Sequence, residues 1–295
     1  MTRPDILCIG SVLWDVIGRC AEDMPLGADR PGRIRRVPGG VAMNIAVTLA
    51  RLGRRPALLS VIGDDSEGRA LSEEIERLGL DARFLLRSAE LPTDRYMAIE
   101  SPEGLVAAIA DAHSLEAAGA LILAPLEDGR LGTQTAPWEG AVALDGNLTA
   151  ELLEQIAKSA LFTQADLRVA PASPGKAERL LALRAHEHAV YYVNLEEANL
   201  MAGAAFQDAP TAAAHLVANG LSRAVVTHGS CETADATAEG VVVALPPKVE
   251  VVQVTGAGDS FMAAHISAEL DGASRDDALS HALTIAAAHI SGKTA

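Results

Sequence analysis

The chain is short of positive charge: 24 Lys and Arg stand against 39 Asp and Glu in 295 residues, a formal net charge of −15. Phosphate backbones are bound by clustered cations, so this balance argues against a nucleic-acid polymer as partner. Cysteine is scarce as well. Cys8, Cys20 and Cys231 are odd in number and far apart, which fits neither a disulfide framework nor a Cys-x-x-Cys metal knuckle and points to a reducing compartment. No apolar run approaches the ~18 residues that span a bilayer, and the N-terminal stretch has no basic region followed by a small-residue cleavage pattern. The expectation is a cytoplasmic chain with no membrane partner. Internal repeats and low-complexity tracts are also missing. With 49% hydrophobic and 21% charged residues, the chain has enough apolar matter for a full-sized core, which excludes disorder as its main state.

What is present is an alternation. Short β-rich runs (ILCIGSV, PALLSVIG, AVALDGNL, AVYYVN, RAVVTHG) are separated by helix-period segments (VAMNIAVTLARLG, SEGRALSEEIERLG, TAELLEQIAKSA, GKAERLLALRAHE, LEEANLMAG), and two helices, SFMAAHISAEL and SRDDALSHALTIAAAHI, close the chain. This pattern predicts an α/β fold, a mostly parallel sheet covered by helices on both faces. Two stretches break it. Residues 14–38 carry Pro25, Gly27, Pro31 and Gly32 around the alternating GRIRRV, and 81–112 reads as three strands, ARFLLRS, DRYMAIES and GLVAAIAD. Together they predict a small β-sheet made from two insertions, placed as a lid over the carboxyl ends of the parallel strands. Between residues 113 and 140, ALILAPL reads as a strand among surface loops and suggests no role.

Two glycine-containing turns could carry chemistry. Thr255-Gly256-Ala257-Gly258-Asp259 lies between a β-branched run and an amphipathic helix, where small residues let backbone N–H groups approach an anion and the helix adds its positive end. The plainer reading is a tight turn with Asp259 or Ser260 as helix cap. Phe261 stands where a dinucleotide fingerprint needs its third glycine, which speaks against an oxidoreductase. Gly292-Lys293-Thr294 is no phosphate loop, because Ala287 replaces its first glycine and no helix follows. The second turn, Gly39-Gly40, precedes a helix with Asn44 in its first turn, offering backbone N–H groups and an amide to a hydroxylated ligand; a capped amphipathic helix is the plainer reading. Asp15, just after the first strand, would project at a sheet end where α/β ligands bind, or serve as a turn carboxylate. His186 and His188 around Glu187 read as a solvated turn rather than a metal pair. His265, His281 and His289 read as packing or surface residues. Arg30, Arg33, Arg35 and Arg36 read as residues that discourage edge pairing of the first insertion or meet the acidic body of a partner subunit, with phosphate binding as the sharper reading.

The order Gly10-Ser11, Asp15, Gly39 to Asn44, Asn194-Leu195-Glu196-Glu197, Thr227-His228-Gly229 and Gly256-Ala257-Gly258-Asp259 resembles the ribokinase-like (PfkB) family of carbohydrate and nucleoside kinases along essentially the whole chain. The resemblance implies a single ribokinase-like α/β domain over 1–295, a three-layer sandwich with a β-sheet lid. It implies Asp259 as the base that takes the proton of a substrate hydroxyl, and the N–H groups of Gly256, Ala257 and Gly258 as the anion hole for the moving phosphoryl group. It also implies Asp15, Gly39, Gly40 and Asn44 on sugar hydroxyls, Asn194 and Glu197 holding Mg2+ through water, and Thr227 and Gly229 along ATP. Many members carry Asp-Thr-Thr before this motif, the Asp helping to hold an activating K+; here the run is Gln253-Val254-Thr255, so K+ use stays open. GGVAMNIA with a hydrophobic residue after the double glycine, VTGAGD with Val254 as its lead-in, LDGNL at 144–148, the strand from Thr93 to Ile99 and VAPASPGKAERL at 169–180 are most similar to pseudouridine kinases, which implies the ribose 5′-hydroxyl of pseudouridine as acceptor; Met43 would close against a base or pack in the core. A free sugar such as ribose or fructose, or another nucleoside, is the alternative. A non-catalytic nucleotide-binding regulator is the remote one. A homodimer through the lid is an open expectation.

Overall fold

The computed structural model describes residues 3–293; Met1, Thr2, Thr294 and Ala295 lie outside them. In chain order the strands are β1 (Ile6–Ile9), β2 (Leu13–Cys20), β3 (Gly32–Gly39), β4 (Pro56–Leu59), β5 (Val61–Gly63), β6 (Leu86–Ser88), β7 (Arg95–Ser101), β8 (Gly104–Asp111), β9 (Ala141–Asp145), β10 (Asp166–Ala170), β11 (Val190–Asn194), β12 (Arg223–Thr227), β13 (Thr233–Thr237) and β14 (Gly240–Ala244). The helices are α1 (Val41–Arg51), α2 (Ser66–Arg77), α3 (Ser114–Ala118), α4 (Ala150–Lys158), α5 (Leu195–Ala202), α6 (Ala209–Ala218), α7 (Ala257–Leu270) and α8 (Arg275–Ile290).

The main sheet runs β14-β13-β12-β11-β10-β9-β1-β4. It is parallel from β4 to β12, and β13 and β14 add an antiparallel edge. Its central strands are short, fully buried apolar runs because both faces are covered. In β1, Leu7 and Ile9 join the core under α4, α5 and α6, while Ile6 and Cys8 face α1, α2, α7 and α8. This is the α/β architecture expected from the alternation. The chain leaves β1 toward β4 on one side and resumes on the other with β9, so the carboxyl ends of β1 and β9 flank a switch point, where open α/β sheets bind ligands.

A second sheet, ordered β3-β2-β7-β8, gathers residues from both insertions, with β2 and β7 parallel at its centre. Its base is fastened to the body. Trp14 donates its indole N–H to the Glu67 carbonyl at 3.0 Å, and Arg36 lies over the Trp14 ring while pairing with Glu67 at 2.6 Å. Arg33 and Arg35 lie on β3, an edge of this sheet.

The structure corrects several local expectations. ARFLLRS does not enter the small sheet. Its Leu86–Ser88 part pairs in parallel with β5, because Phe84 and Leu85 are drawn into the core and the Asp81 carboxylate ties the turn through the N–H and guanidinium of Arg83. ALILAPL is a 3-10 helix, Gly119–Leu126, rather than a strand. Ile122, Leu123 and Leu126 bury one side of it, and Pro125 has no N–H to give a ladder. His186 is buried rather than solvated, with Nε2 at 3.0 Å from the Phe162 carbonyl. Asp15 is the third residue of β2 and not part of a turn after β1.

Helix α7 is buried along most of its length, and its far end is moored by charge. Glu269 pairs with Arg168 of β10 and Arg223 of β12, and Asp235 of β13 accepts from Arg223 and Arg275. Burial would raise the Glu269 and Asp235 pKa values, but the surrounding guanidinium groups hold both below the usual range. His265 of α7 meets the Tyr192 hydroxyl at 3.0 Å, and burial pushes its pKa down to about 4. It packs as a neutral core residue.

Candidate active site

Asp259 occupies the third position of α7, behind Gly256, whose φ of 79° puts the turn in the left-handed region that favours glycine. Its carboxylate accepts a 2.8 Å hydrogen bond from Asn44 Nδ2. Asn44 is in the first turn of α1, so the two glycine-led helices expected to matter meet through these side chains. Burial pushes the Asp259 pKa up to about 7. The Asn44 bond opposes this rise, and the negative charges of Asp145, Asp15 and Glu197 add to it.

Asp15 reaches the same region from β2, and burial pushes its pKa up to about 6. Gly39 of β3 is required beside it, since a Cβ there would overlap the Asp15 carboxylate. Gly40 has φ 96°, and a Cβ on it would run into the Ser11 carbonyl. These glycines let the backbone pass close to Asp15 and Ser11 immediately before α1. Tyr96 of β7 stands directly across from Asp15 in the ladder, and burial followed by the Asp15 charge raises its pKa.

Asp145 is the residue that the motifs missed. It ends β9, is fully buried, and accepts from Ser11 N (2.7 Å), Ser11 Oγ (2.6 Å) and Ala42 N (3.3 Å) on Oδ2 and from Asn147 N (2.5 Å) on Oδ1. Ser11 Oγ in turn accepts from Val41 N and Asn147 Nδ2, and Lys176 Nζ donates to Asn147 Oδ1 at 2.5 Å. One carboxylate thereby joins the end of β1 to the start of α1. The readable signal was an Asp closing a wholly apolar strand, followed by Gly-Asn.

Asn194 and Glu197 form a reciprocal cap at the start of α5: Asn194 Oδ1 accepts from Glu197 N at 2.9 Å, and Glu197 Oε2 accepts from Asn194 N at 2.8 Å. Burial pushes the Glu197 pKa up to about 7, with the Asn194 N–H opposing and the Glu196 charge assisting. Thr227 lies beside Asn194 in the parallel ladder at the end of β12, and Gly229 follows at φ 55°. Of the three amides expected to form an anion hole, Ala257 N–H is directed at the Val254 carbonyl (3.2 Å). An open cleft of about 1000 Å³ along α5 includes Glu196, Asn199 and His228 in its lining, but not Asp15, Asn44 or Asp259. Size alone does not mark the reacting centre.

Among the described residues no group of three or more His, Cys, Asp or Glu could hold a metal ion. Mg2+ suits such a place when substrate phosphates and water supply most of its ligands, and the buried Glu197 carboxylate with the Asn194 amide provides oxygen donors of the right kind.

Residues 3–295 match the model of the pfkB family carbohydrate kinases. The chain is 33% identical over 288 residues to the uncharacterized sugar kinase YeiI of Escherichia coli, covering 95% of this chain and 76% of that one. It is 31% identical over 273 residues to the pseudouridine kinase of the same organism, covering 90% and 84%. The ribokinase of Thermotoga maritima superposes with a TM-score of 0.77 at 21% identity, over 98% of this chain and 93% of that chain, a likeness of fold. The chain belongs to the pfkB family of carbohydrate kinases.

Proposed function

We propose that the protein transfers the γ-phosphoryl group of ATP to a sugar hydroxyl, with Asp259 as the base, and that the acceptor is the ribose 5′-hydroxyl of pseudouridine. The observation that carries the reading is the Asn44–Asp259 pair at the start of α7: a carboxylate with a pKa of about 7, held by an amide beside a helix N-terminus. Such a group ionises near neutral pH, which suits a general base worth roughly 10²–10⁴ in rate.

Phosphoryl transfer asks a protein chiefly for alignment and charge stabilisation. Asp15, Asn44 and the backbone at Gly39 and Gly40 orient the acceptor so that its hydroxyl faces Asp259, which removes the proton as the oxygen attacks. The amides of Gly256 and Gly258, with the positive end of α7, stabilise charge on the phosphoryl oxygens, while the Ala257 N–H, expected to join them, is taken by the Val254 carbonyl. Thr227 and Gly229 lie along the nucleotide. Asn194 and Glu197 would hold Mg2+ through water, which neutralises polyphosphate charge. The β3-β2-β7-β8 sheet closes over the acceptor and excludes water. Its outer face exposes Ile34 (78%), Met97 (50%) and Ile109 (68%) across three strands, and we assign that apolar stripe to a second copy of the chain, which would double the lid.

The 31% identity to a pseudouridine kinase and the LDGNL segment at 144–148, which carries Asn147, favour the nucleoside. A free sugar is the second reading, favoured by the 33% identity to a sugar kinase. The test is ATP consumption with Mg2+ over pseudouridine, uridine, adenosine, ribose and fructose. Preference for pseudouridine is expected; turnover of a free sugar alone would overturn the acceptor. Near wild-type turnover by Asp259→Asn would overturn the base. A light-scattering mass equal to one chain would overturn the dimer.

A further inference from the structure

The turn leading into α7 is stitched to the end of α8 by N–H donors. Val252 N and Gln253 N both donate to the Ile290 carbonyl, at 2.8 and 3.1 Å. The His289 carbonyl accepts from Gln253 Nε2 and from Gly292 N, each at 3.1 Å. His289 Nε2 lies 2.9 Å from the Thr255 carbonyl. A carbonyl oxygen can only accept, so Nε2 carries the hydrogen in this tautomer. The 3.4 Å approach of Gln253 Nε2 to the same nitrogen is then a packing contact between two donors.

A bound K+ needs several oxygen ligands with free lone pairs. Here the side chain at the position of the family's Asp is a neutral amide whose donor points inward. Two neighbouring carbonyls each receive two N–H groups, and the third faces an imidazole N–H. This donor set does not fit the cation. The imidazole instead touches the turn itself, 3.3 Å from where a Cβ on Gly256 would stand. The Thr255 carbonyl and Gly256 N–H belong to one planar trans peptide, so fixing the carbonyl toward His289 aims that N–H away from it.

We propose that His289, oriented beside Gln253, is a positioning residue that fixes the Thr255–Gly256 peptide of the anion-binding turn, and that the enzyme therefore works without K+. The proposal rests on the kinase reading above. Wild-type rates in tetramethylammonium, Na+ and K+ chlorides at equal ionic strength are expected to agree within about twofold, and the melting temperature is expected to show no K+-specific rise. The 15N spectrum of labelled histidine should show His289 in the Nε2-protonated neutral form. His289→Ala should lower kcat roughly 10- to 100-fold with acceptor KM little changed, because a small displacement of such donors is costly. His289→Gln, which keeps an N–H of similar reach, should recover most of the loss. A rise of about tenfold or more in K+ together with a K+-specific melting shift would overturn the proposal, as would an unaltered kcat in His289→Ala or a neutral His289 protonated on Nδ1. If His289→Ala does not fold, the glutamine variant, spectrum and melting data still decide. Silence toward every acceptor would strike the kinase reading alone, since the spectrum and the K+ melting comparison need no turnover.

Discussion

Removing the Asn44 amide should move the acid limb of the pH–rate profile toward alkaline pH. In the intact protein burial pushes the Asp259 pKa up to about 7, and the Asn44 Nδ2–H bond at 2.8 Å opposes that rise. A hydrogen bond to a charged group contributes roughly 1.5–3 kcal/mol, and one pKa unit corresponds to about 1.4 kcal/mol. The full effect would be about one to two units; water entering the space left by Asn44→Ala replaces part of the bond, so a shift of about one unit is expected. With a limb near 7 about half of the carboxylate is ionised at pH 7, and with a limb near 8 about a tenth, so kcat should fall roughly fivefold at pH 7 and recover toward pH 9. The assay is kcat against pH from 5.5 to 9.5 at saturating ATP and acceptor, with Asp259→Asn as the reference that loses the limb and the turnover together. A uniform fall in kcat with the limb unmoved would refute the pairing of Asn44 with the titrating base.

Stability should respond to the same carboxylates with the opposite preference. Asp15, Glu197 and Asp259 have folded pKa values of about 6, 7 and 7, above those of an unfolded chain, so the folded state holds more protons between about pH 4 and pH 7 and their contribution falls as pH rises through that window. Asp259→Asn should therefore raise the unfolding free energy at pH 8 by on the order of 1–2 kcal/mol, discounted for its partial exposure, and leave it nearly unchanged at pH 4.5; calorimetry showing a loss at pH 8 would contradict this. Asp145→Asn puts an NH2 or a weaker acceptor against four donors and should cost about 2–4 kcal/mol, read as a melting point lower by 5 °C or more together with a fall in kcat. A variant as stable and active as the parent would show that the β1–α1 junction does not depend on this charge. Gly39→Ala drives a methyl into the Asp15 carboxylate, so acceptor KM should rise about tenfold or more while ATP KM stays within a factor of about two; equal changes in both would place Asp15 elsewhere in the reaction.

The fold was legible where the sequence carries its period openly. The buried runs of β1, β9, β11 and β12 and the helical spacing of α1, α2 and α4 need only their own residues to be read. The misread segments depend on distant partners: Phe84 and Leu85 look like strand residues until a core is present to take them, and the 3-10 helix at 119–126 is fixed by which of its apolar residues meet that core. At the site, Asp259 and Asn44 stand out through the glycines beside them. Asp145 and Lys176 also adjoin glycines, Gly146 and Gly175, and Asp145 closes an apolar strand, but nothing local says what either side chain bonds, and His289 has no flag at all. Each acts through a partner far along the chain, Asp145 through Ser11 and His289 through Thr255, and a contact spanning that distance leaves no local pattern.

The β3-β2-β7-β8 sheet has a consequence for engineering. Its two central strands come from separate stretches of chain and enter side by side, Trp14 N–H bonded to the Asp94 carbonyl at 3.1 Å, with the whole ladder from Trp14–Arg95 to Arg19–Glu100 in register. Neither insertion is a free-standing hairpin unit that can be exchanged alone. A graft of acceptor preference from a relative has to carry residues 13–39 and 94–111 together, with Trp14, Arg36 and Glu67 kept as the common socket, because a half-exchanged sheet would pair strands drawn from two different registers.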